Sequence, residues 1–356
     1  MKKFLAILLL LSTMCTVLMS CDLFDIGGAA ESETDLPAEE TDGETEKKST
    51  STRYVSKADR EKNELGDKES DTAKLVGFRT QASLYDGEFN SKVGWKAAGM
   101  GYIIKTKSGK LIAVDGGNTE DASSFYNLLK EYSETETVVV DYWILTHPHG
   151  DHCNALIGIN NNALITNNLT VKNLVYYFPA EFKDKNGGTC EYYIQTMESV
   201  ASDLNANIIT PKKDQKITLD DVTLEFLYTP TDYAELNNTN QLSLIFTVKA
   251  AKKKAMITGD AFVPSLTKVA NEYRDSLKCD ILQMPHHFLC DTGHKPFYDF
   301  VGAEMVLLPT CISGYAAMVD PDGEYAGNAR NKINIEAMTN AKYVYKAYDG
   351  NFVINM

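Results

Sequence analysis

The sequence predicts an α/β fold, and two observations lead to that expectation. Short runs rich in β-branched and aromatic residues, typical of buried strands, alternate with stretches that are amphipathic at helical spacing. Several of these runs end in His, Asp and Gly, so polar residues collect where predicted strands stop. The length of 356 residues exceeds one average domain, but one α/β sandwich with appendages accounts for it.

The first 21 residues have the features of an export signal. Met1-Lys2-Lys3 is positively charged, and the apolar run that follows, Phe4 to Met19, is too short to predict a membrane span. Leu18-Met19-Ser20-Cys21 resembles a bacterial lipobox, in which the cysteine is lipidated and becomes the new N-terminus. We therefore expect a lipoprotein signal peptide over residues 1–21, with an ordinary signal peptide as the alternative. The expected location is the outer, extracellular face of the cell membrane.

Residues 22–73 are predicted to be a disordered acidic tether. Residues 22–46 contain ten Asp or Glu and no Lys or Arg, and the whole segment lacks aliphatic periodicity. Such a segment cannot bury enough apolar surface to offset the entropy of ordering it. Residues 74–356 are then expected to form the folded domain, in which 33 acidic residues outnumber 26 basic ones. This acidic balance argues against tight binding of nucleic acid, which usually requires a basic face.

The secondary structure of the domain follows from the periodicity of its apolar residues. Predicted strands cover residues 100–107, 111–115, 138–145, 174–178, 222–228, 241–248, 254–258, 279–284, 304–308, 342–346 and 351–355. Predicted helices cover residues 119–132, 190–205, 263–277 and 331–340, with another that begins at Asn154. Residues 310–330, rich in Gly, Asp and Tyr, are expected to be a long loop with room to act as a lid.

The segment His147 to His152 places four candidate metal ligands within six residues, directly after the strand 138–145. Pro148 and Gly150 prevent regular continuation of the strand, so these ligands must lie on a turn. Such a turn can direct His147 and His149 to one point, and Asp151 and His152 to a neighbouring point. Imidazole nitrogens and carboxylate oxygens together suit zinc, manganese or iron. The alternative, a polar surface turn, is disfavoured by the density of ligands.

The HxHxDH motif resembles the signature of the metallo-β-lactamase superfamily. The resemblance implies an αββα sandwich with a metal site at one edge, where the Asp260 carboxylate bridges two ions. It further implies that His286 is the last metal ligand and that His287 contacts the substrate or orients a ligand, although these two roles can be exchanged. Asp115, at the end of another strand, is implied to orient a ligating histidine, with a plain Asp-Gly turn as the alternative.

One branch of the superfamily is more similar than the others. No histidine lies between His152 and His286, the interval in which most zinc hydrolases of the superfamily have the third ligand of the first metal. The segment Asn237 to Leu244 instead leads into a strand, followed by the motifs M-I-T-G-D and D-I-L-Q-M-P-H-H. This order is similar to the extracellular metallo-hydrolase domain of ComEC-type DNA-uptake proteins, over roughly residues 98–356. The sequence departs from that pattern at Phe288-Leu289, where those proteins have Gly-Ser.

The resemblance implies one or two divalent ions (Mn, Zn or Mg) as cofactors. The implied metal ligands are His147, His149, Asp151, His152, Asp260 and His286, and the implied catalytic residues are Asp151, Asp260 and His287. Without a third imidazole, the first site has two histidines and the shared Asp260, which Asn or Ser oxygens can supplement. Such a site is harder and weaker than the usual zinc site, so it favours Mn²⁺ or Mg²⁺ or retains a single ion.

These expectations favour hydrolysis of a phosphodiester, in which metal ions neutralise phosphate oxygens and activate a water. The expected partners are a small-molecule or oligonucleotide phosphoester and, through lipidated Cys21, the membrane. Two alternatives stay open. Hydrolysis of a lactone, lactam or amide would require a full site with two tightly bound zinc ions, whereas a binding protein could retain the weakened site without turnover.

Overall fold

The computed structural model describes residues 53–54, 71–90, 94, 99–231 and 233–356. The predicted signal peptide and most of the predicted tether lie outside the described residues. Two parts of the predicted tether belong to the fold, because Arg53–Tyr54 forms a strand and Ala73 is fully buried. No helix in the described part of the chain is long and apolar enough to cross a membrane.

The domain is an αββα sandwich, so the predicted fold class is confirmed. Two mixed sheets face each other across an apolar core that includes Ile104 and Ile144 from one sheet and Phe246 and Leu307 from the other. Two further apolar clusters fill the space between each sheet and the helices on its outer face. Each sheet is therefore buried on both faces, which explains why so many of its strands are nearly continuous apolar runs.

The first sheet carries the HxHxDH segment at one edge. Its strands, in spatial order, are β16 (Phe352–Asn355), β2 (Lys74–Gly77), β3 (Gly101–Lys105), β4 (Leu111–Asp115), β5 (Val138–Ile144), β7 (Asn173–Val175) and β8 (Asn207–Ile209), with β6 (Leu169–Val171) also paired to β5. The helices on its outer face are α1 (Ala122–Tyr132), α2 (Gly150–Asn160), α3 (Ala163–Thr166) and α4 (Glu191–Asp203). Strands β4, β5 and β7 are parallel, so their C-terminal ends meet at the same edge.

The second sheet contributes the other polar strand ends. Its strands, in spatial order, are β1 (Arg53–Tyr54), β15 (Tyr343–Lys346), β14 (Met305–Leu308), β13 (Ile281–Gln283), β12 (Lys254–Ile257), β11 (Ile245–Lys249), β10 (Val222–Tyr228) and β9 (Lys216–Leu219). Its helices are α5 (Val263–Tyr273), α6 (Lys295–Val301), α7 (Ile312–Val319) and α8 (Ala329–Asn340). Strands β12 to β15 are parallel, so the turns after β12 and β13 lie side by side.

The structure differs from the predicted elements in two places near these turns. The predicted lid 310–330 contains helix α7, whose first turn is capped by the Cys311 sulfur accepting from the Gly314 amide at 3.0 Å. The predicted strand 241–248 begins only at Ile245, because Thr239–Leu242 forms a 3₁₀ helix. That helix is capped by the Asn238 side chain, a short-range hydrogen bond that competes with strand formation.

The five cysteines of the described chain are all free and buried.

Candidate metal centre

The HxHxDH segment spans the end of β5 and the first turn of α2. His149 is extended and precedes Gly150, the first residue of the helix, and its carbonyl accepts from the Cys153 amide at 2.9 Å. His149 therefore projects from extended chain and His147 from a bend just before it, whereas Asp151 and His152 project from a helical turn. His147 and His152 are fully buried, while His149 and Asp151 are partly exposed. Among the histidines and carboxylates of this segment, His149 and Asp151 thus mark the side that faces solvent.

Two clusters of candidate ligands meet at Asp260. Atoms of His147, His149 and Asp260 lie within 4.8 Å of one another and form what we call the first cluster. The second cluster, with the same spacing, contains Asp151, His152, Asp260 and His287. The Asp260 Oδ2 atom is 3.2 Å from His287 Nε2, 3.3 Å from His152 Nε2 and 3.6 Å from His147 Nε2. One carboxylate is therefore positioned to contact ions in both clusters, as the resemblance implies.

The turn after β12 holds Asp260 against the motif. Gly259 has a φ of 54°, and a Cβ atom there would lie 2.9 Å from the Thr146 Cβ, so glycine permits this close approach. The Asp260 amide donates to the Ser243 hydroxyl at 3.0 Å. The buried Gln283 amide accepts from the Thr258 amide at 2.8 Å and donates to the Gly259 carbonyl at 3.0 Å. Gln283 thereby ties the end of β13 to the Asp260 turn.

The turn after β13 brings His287, and not His286, into the second cluster. His286, His287 and Phe288 all have positive φ values, of 46°, 54° and 66°. This left-handed turn directs His287 Nε2 to within 3.1 Å of Asp151 Oδ2, while His287 Nδ1 donates to the Pro309 carbonyl at 2.8 Å. The structure therefore brings His287 together with the other candidate ligands and leaves His286 outside both clusters, which corresponds to the exchanged roles. Side-chain direction here depends on an unusual backbone conformation.

His286 lies beside the clusters and belongs to neither. Its Nδ1 atom is 2.9 Å from Asp291 Oδ1, and its Nε2 atom is 3.2 Å from the Asn240 side-chain nitrogen. The ring also contacts the Phe262 ring, with centroids 4.9 Å apart. Burial lowers the pKa of His286, but the neighbouring carboxylates, Asp291 foremost, raise it to a value above its usual one. His286 is thus a buried, hydrogen-bonded neighbour of the ligands.

Asp115 orients His152. Its Oδ2 atom is 2.7 Å from His152 Nδ1, and its Oδ1 atom accepts from the Thr146 amide at 2.8 Å. A hydrogen bond at Nδ1 fixes the orientation of a histidine ring so that its Nε2 atom faces the metal, and this arrangement is common among histidines that bind metals. Asp115 has a φ of 52°, a conformation that costs a non-glycine residue energy and tends to occur at functional sites.

The buried atoms of the clusters fit a divalent cation. Within the described chain, four of their atoms are buried without a hydrogen-bond partner: His147 Nε2, His152 Nε2, His287 Nε2 and Asp260 Oδ1. Each buried polar atom left unpaired costs about 1–3 kcal/mol. Imidazole nitrogens and carboxylate oxygens are the donors that zinc and manganese accept, so an ion would satisfy these atoms together.

The electrostatics of the site also favour positive charge. Burial, assisted by His152, holds the pKa of His147 well below its usual value, and burial lowers that of His149 to about 4. Burial opposes the charge on His152 and His287 as well. Even so, the carboxylates, Asp260 foremost, raise the pKa of His152 well above its usual value and that of His287 to about 10. The buried carboxylates therefore require compensating charge, which protons on imidazole or metal ions can supply.

Three supporting residues, Thr239, Gln283 and Asp291, were not singled out by the sequence analysis. Thr239 contacts His149 through its hydroxyl, and Gln283 and Asp291 hold the two turns described above. The glutamine was detectable in principle, because a fully buried polar residue inside an apolar strand needs partners. The other two are loop residues whose roles depend on contacts between distant segments.

Comparisons with known proteins are limited to solved structures, since no protein-family model and no curated protein matches the sequence. The chain is similar to the metallo-β-lactamase fold protein YhfI from Bacillus subtilis, with 15% identity, 80% of this chain and 100% of that chain covered, and a TM-score of 0.47. For Zn²⁺-bound PqqB from Methylobacterium extorquens the identity is 9%, with 80% and 100% covered and a TM-score of 0.43. For MEM-A1, a subclass B3 metallo-β-lactamase from a soil metagenome library, the identity is 14%, with 77% of this chain and 89% of that chain covered and a TM-score of 0.38.

The structural neighbours include metallo-β-lactamase fold proteins. In this chain itself, an αββα sandwich places two ligand clusters at the C-terminal ends of its strands. The sandwich therefore carries a candidate metal site at one edge.

We predict that His287→Ala and His286→Ala differ in metal content. His287→Ala removes a ligand atom from the second cluster, so at moderate Mn²⁺ concentration it should retain one ion fewer than the unchanged protein. His286→Ala leaves both clusters intact and should still bind two ions at saturating Mn²⁺. Equilibrium dialysis followed by elemental analysis measures this difference. If His286→Ala loses an ion while His287→Ala retains both, the ligand is His286 after all.

Proposed function

We propose that this chain is a metal-dependent hydrolase of phosphodiester bonds. The observation that carries the proposal is the pair of clusters that share Asp260, in which four buried atoms have no hydrogen-bond partner among the described residues. The first cluster has only two imidazoles, so it lacks the three-histidine set of the usual zinc site and favours a harder ion. The order of motifs similar to ComEC-type metallo-hydrolase domains supports the same substrate chemistry.

We assign the ligands of the two clusters to two separate ions. His147 and His149 would hold the first ion, Asp151, His152 and His287 would hold the second, and Asp260 would be shared between them. When bound, two such ions neutralise phosphate oxygens and activate a water for in-line attack. Asp151 is the partly exposed carboxylate of the second cluster, and we assign it the further role of accepting a proton from that water.

The charge of the protein bears on the size of the substrate. The formal net charge of the whole chain is −14, and acidic residues outnumber basic ones in the folded domain as well. Such a surface repels a long polyanion and provides few cations for phosphate contacts. A small phosphodiester or a short oligonucleotide therefore fits the domain better than duplex nucleic acid.

We predict that metal-stripped protein hydrolyses a generic phosphodiester, such as bis(p-nitrophenyl) phosphate, after Mn²⁺ is added, and that Mn²⁺ restores more activity than Zn²⁺. Asp260→Asn should lower kcat by more than about 100-fold. This loss exceeds the loss of activity expected when a residue that only orients a metal ligand is changed. Glu336→Gln, on the exposed face of α8, is the matched control and should leave turnover unchanged. A panel that includes a lactam and a lactone completes the measurement. Turnover of those substrates alone, with two tightly bound zinc ions, would contradict the proposal.

We also propose that the protein is exported and held at the outer face of the membrane by lipidated Cys21. The basic start of the chain, the apolar run and the acidic segment after Cys21 support this proposal. Cys21→Ala should prevent incorporation of labelled fatty acid and move the protein into the soluble fraction. Cys15→Ala, which changes the other cysteine of the leader, is the control and should leave attachment intact. If Cys21→Ala remains bound to the membrane, the attachment is of another kind.

A further inference from the structure

We infer that the side-chain oxygen of Asn240 is a further metal donor of the first cluster, in a site that lacks a third imidazole. The inference rests on the proposed metal site and assigns a ligand that the two clusters do not include. Asn240 is fully buried, and its Oδ1 atom has no hydrogen-bond partner among the described residues. A buried oxygen of this kind costs about 1–3 kcal/mol unless something satisfies it.

The position of Asn240 in the fold ties it to the first cluster. It lies on the 3₁₀ helix Thr239–Leu242, where the preceding Thr239 hydroxyl contacts His149 Nε2. Just after this helix, the Ser243 hydroxyl accepts from the Asp260 amide at 3.0 Å. Residues on both sides of Asn240 therefore contact ligands of the first cluster, and the unpartnered oxygen lies on the same short segment.

A chain of hydrogen bonds determines which end of the Asn240 side chain is free. The Asp291 carboxylate accepts a hydrogen bond from His286 Nδ1 at 2.9 Å, so in the neutral imidazole the other ring nitrogen, Nε2, is an acceptor. That nitrogen lies 3.2 Å from Asn240 Nδ2, which can donate to it. The amide nitrogen is thereby committed to His286, and Oδ1 is the end that remains for a cation. His286 is then a positioning residue, comparable to the partners that orient ligands around bound metals.

The chemistry of an amide oxygen gives the first cluster a distinct metal preference. It is a neutral and hard donor, of the kind that Mn²⁺, Mg²⁺ and Ca²⁺ accept, whereas imidazole also suits zinc. The second cluster has two carboxylates and two imidazoles. We therefore expect the first ion to bind more weakly than the second and to prefer Mn²⁺ over Zn²⁺ by comparison with a three-histidine site.

Titration of the metal-stripped full-length protein with Mn²⁺ in a calorimeter tests this inference without an activity readout. Asn240→Ala should raise the dissociation constant of the more weakly bound Mn²⁺ by about tenfold or more and leave that of the tightly bound Mn²⁺ unchanged. Asn240→Asp keeps the volume and an oxygen donor and adds charge, so it should tighten that same ion. Asn237→Ala, a change at an exposed position just before the same 3₁₀ helix, is the matched control and should titrate like the unchanged protein.

The outcomes separate this inference from the proposed function. If Asn240→Ala binds both ions as tightly as the unchanged protein, Asn240 is not a ligand, and the proposed hydrolase still stands. If the unchanged protein binds no Mn²⁺, Mg²⁺ or Zn²⁺, the proposed function fails and the inference fails with it. Circular dichroism reports whether each variant folds. Should Asn240→Ala not fold, the aspartate variant decides, because weaker binding of the weaker ion by a folded Asn240→Asp overturns the inference.

Discussion

The carboxylate of Asp260 is the group on which the arrangement of the site depends. It is almost fully buried, and a buried carboxylate is costly unless opposite charge and hydrogen bonds surround it. Burial alone would raise its pKa, but His287, His152 and His147 hold that pKa well below its usual range. These three histidines come from two different turns, one on each sheet. The two sheets must therefore keep their edges in register for Asp260 to remain charged.

The surrounding residues make that register specific. Gly259 allows the Asp260 turn to approach Thr146, and Gln283 joins that turn to the end of β13. The histidine turn that follows contains three consecutive residues with positive φ, and this conformation costs L-residues roughly 1–2 kcal/mol each. Burial of the Phe288 side chain offsets part of that cost, by about 1.5–3 kcal/mol. Backbone strain is thus retained where it aims His287 at the carboxylates.

The residue pattern predicted an α/β fold for reasons that are local, and the resemblance carried by the HxHxDH motif implied the sandwich and the set of candidate ligands. Apolar runs are easy to detect, and polar residues at the ends of parallel strands must meet at one edge, so His147, His149, Asp151, His152 and Asp260 could be grouped before any coordinates. The choice between His286 and His287 could not be made in this way. Neighbouring residues differ in direction by the φ and ψ angles of a turn, and a left-handed turn of ordinary residues has no sequence signature.

The hydrogen bonds that support the site could not be predicted from the sequence either. Asp291, His286 and Asn240 are connected across segments that are far apart in the chain, and only the packing of the second sheet and its helices brings them together. The strand predicted over 241–248 is partly a 3₁₀ helix for a similar reason. Its cap is a local asparagine hydrogen bond, whereas the strand begins where pairing between β10 and β11 becomes available.

Electron paramagnetic resonance of the Mn²⁺-loaded protein tests the central claim, a carboxylate shared by two ions, most directly. Two ions that both contact Asp260 should lie about 3.5–4 Å apart, as in other two-metal sites, and be close enough for their spins to couple. The account predicts a coupled two-manganese signal that becomes the signal of isolated Mn²⁺ in Asp260→Ala. Uncoupled Mn²⁺ in the unchanged protein at two ions per chain would contradict it.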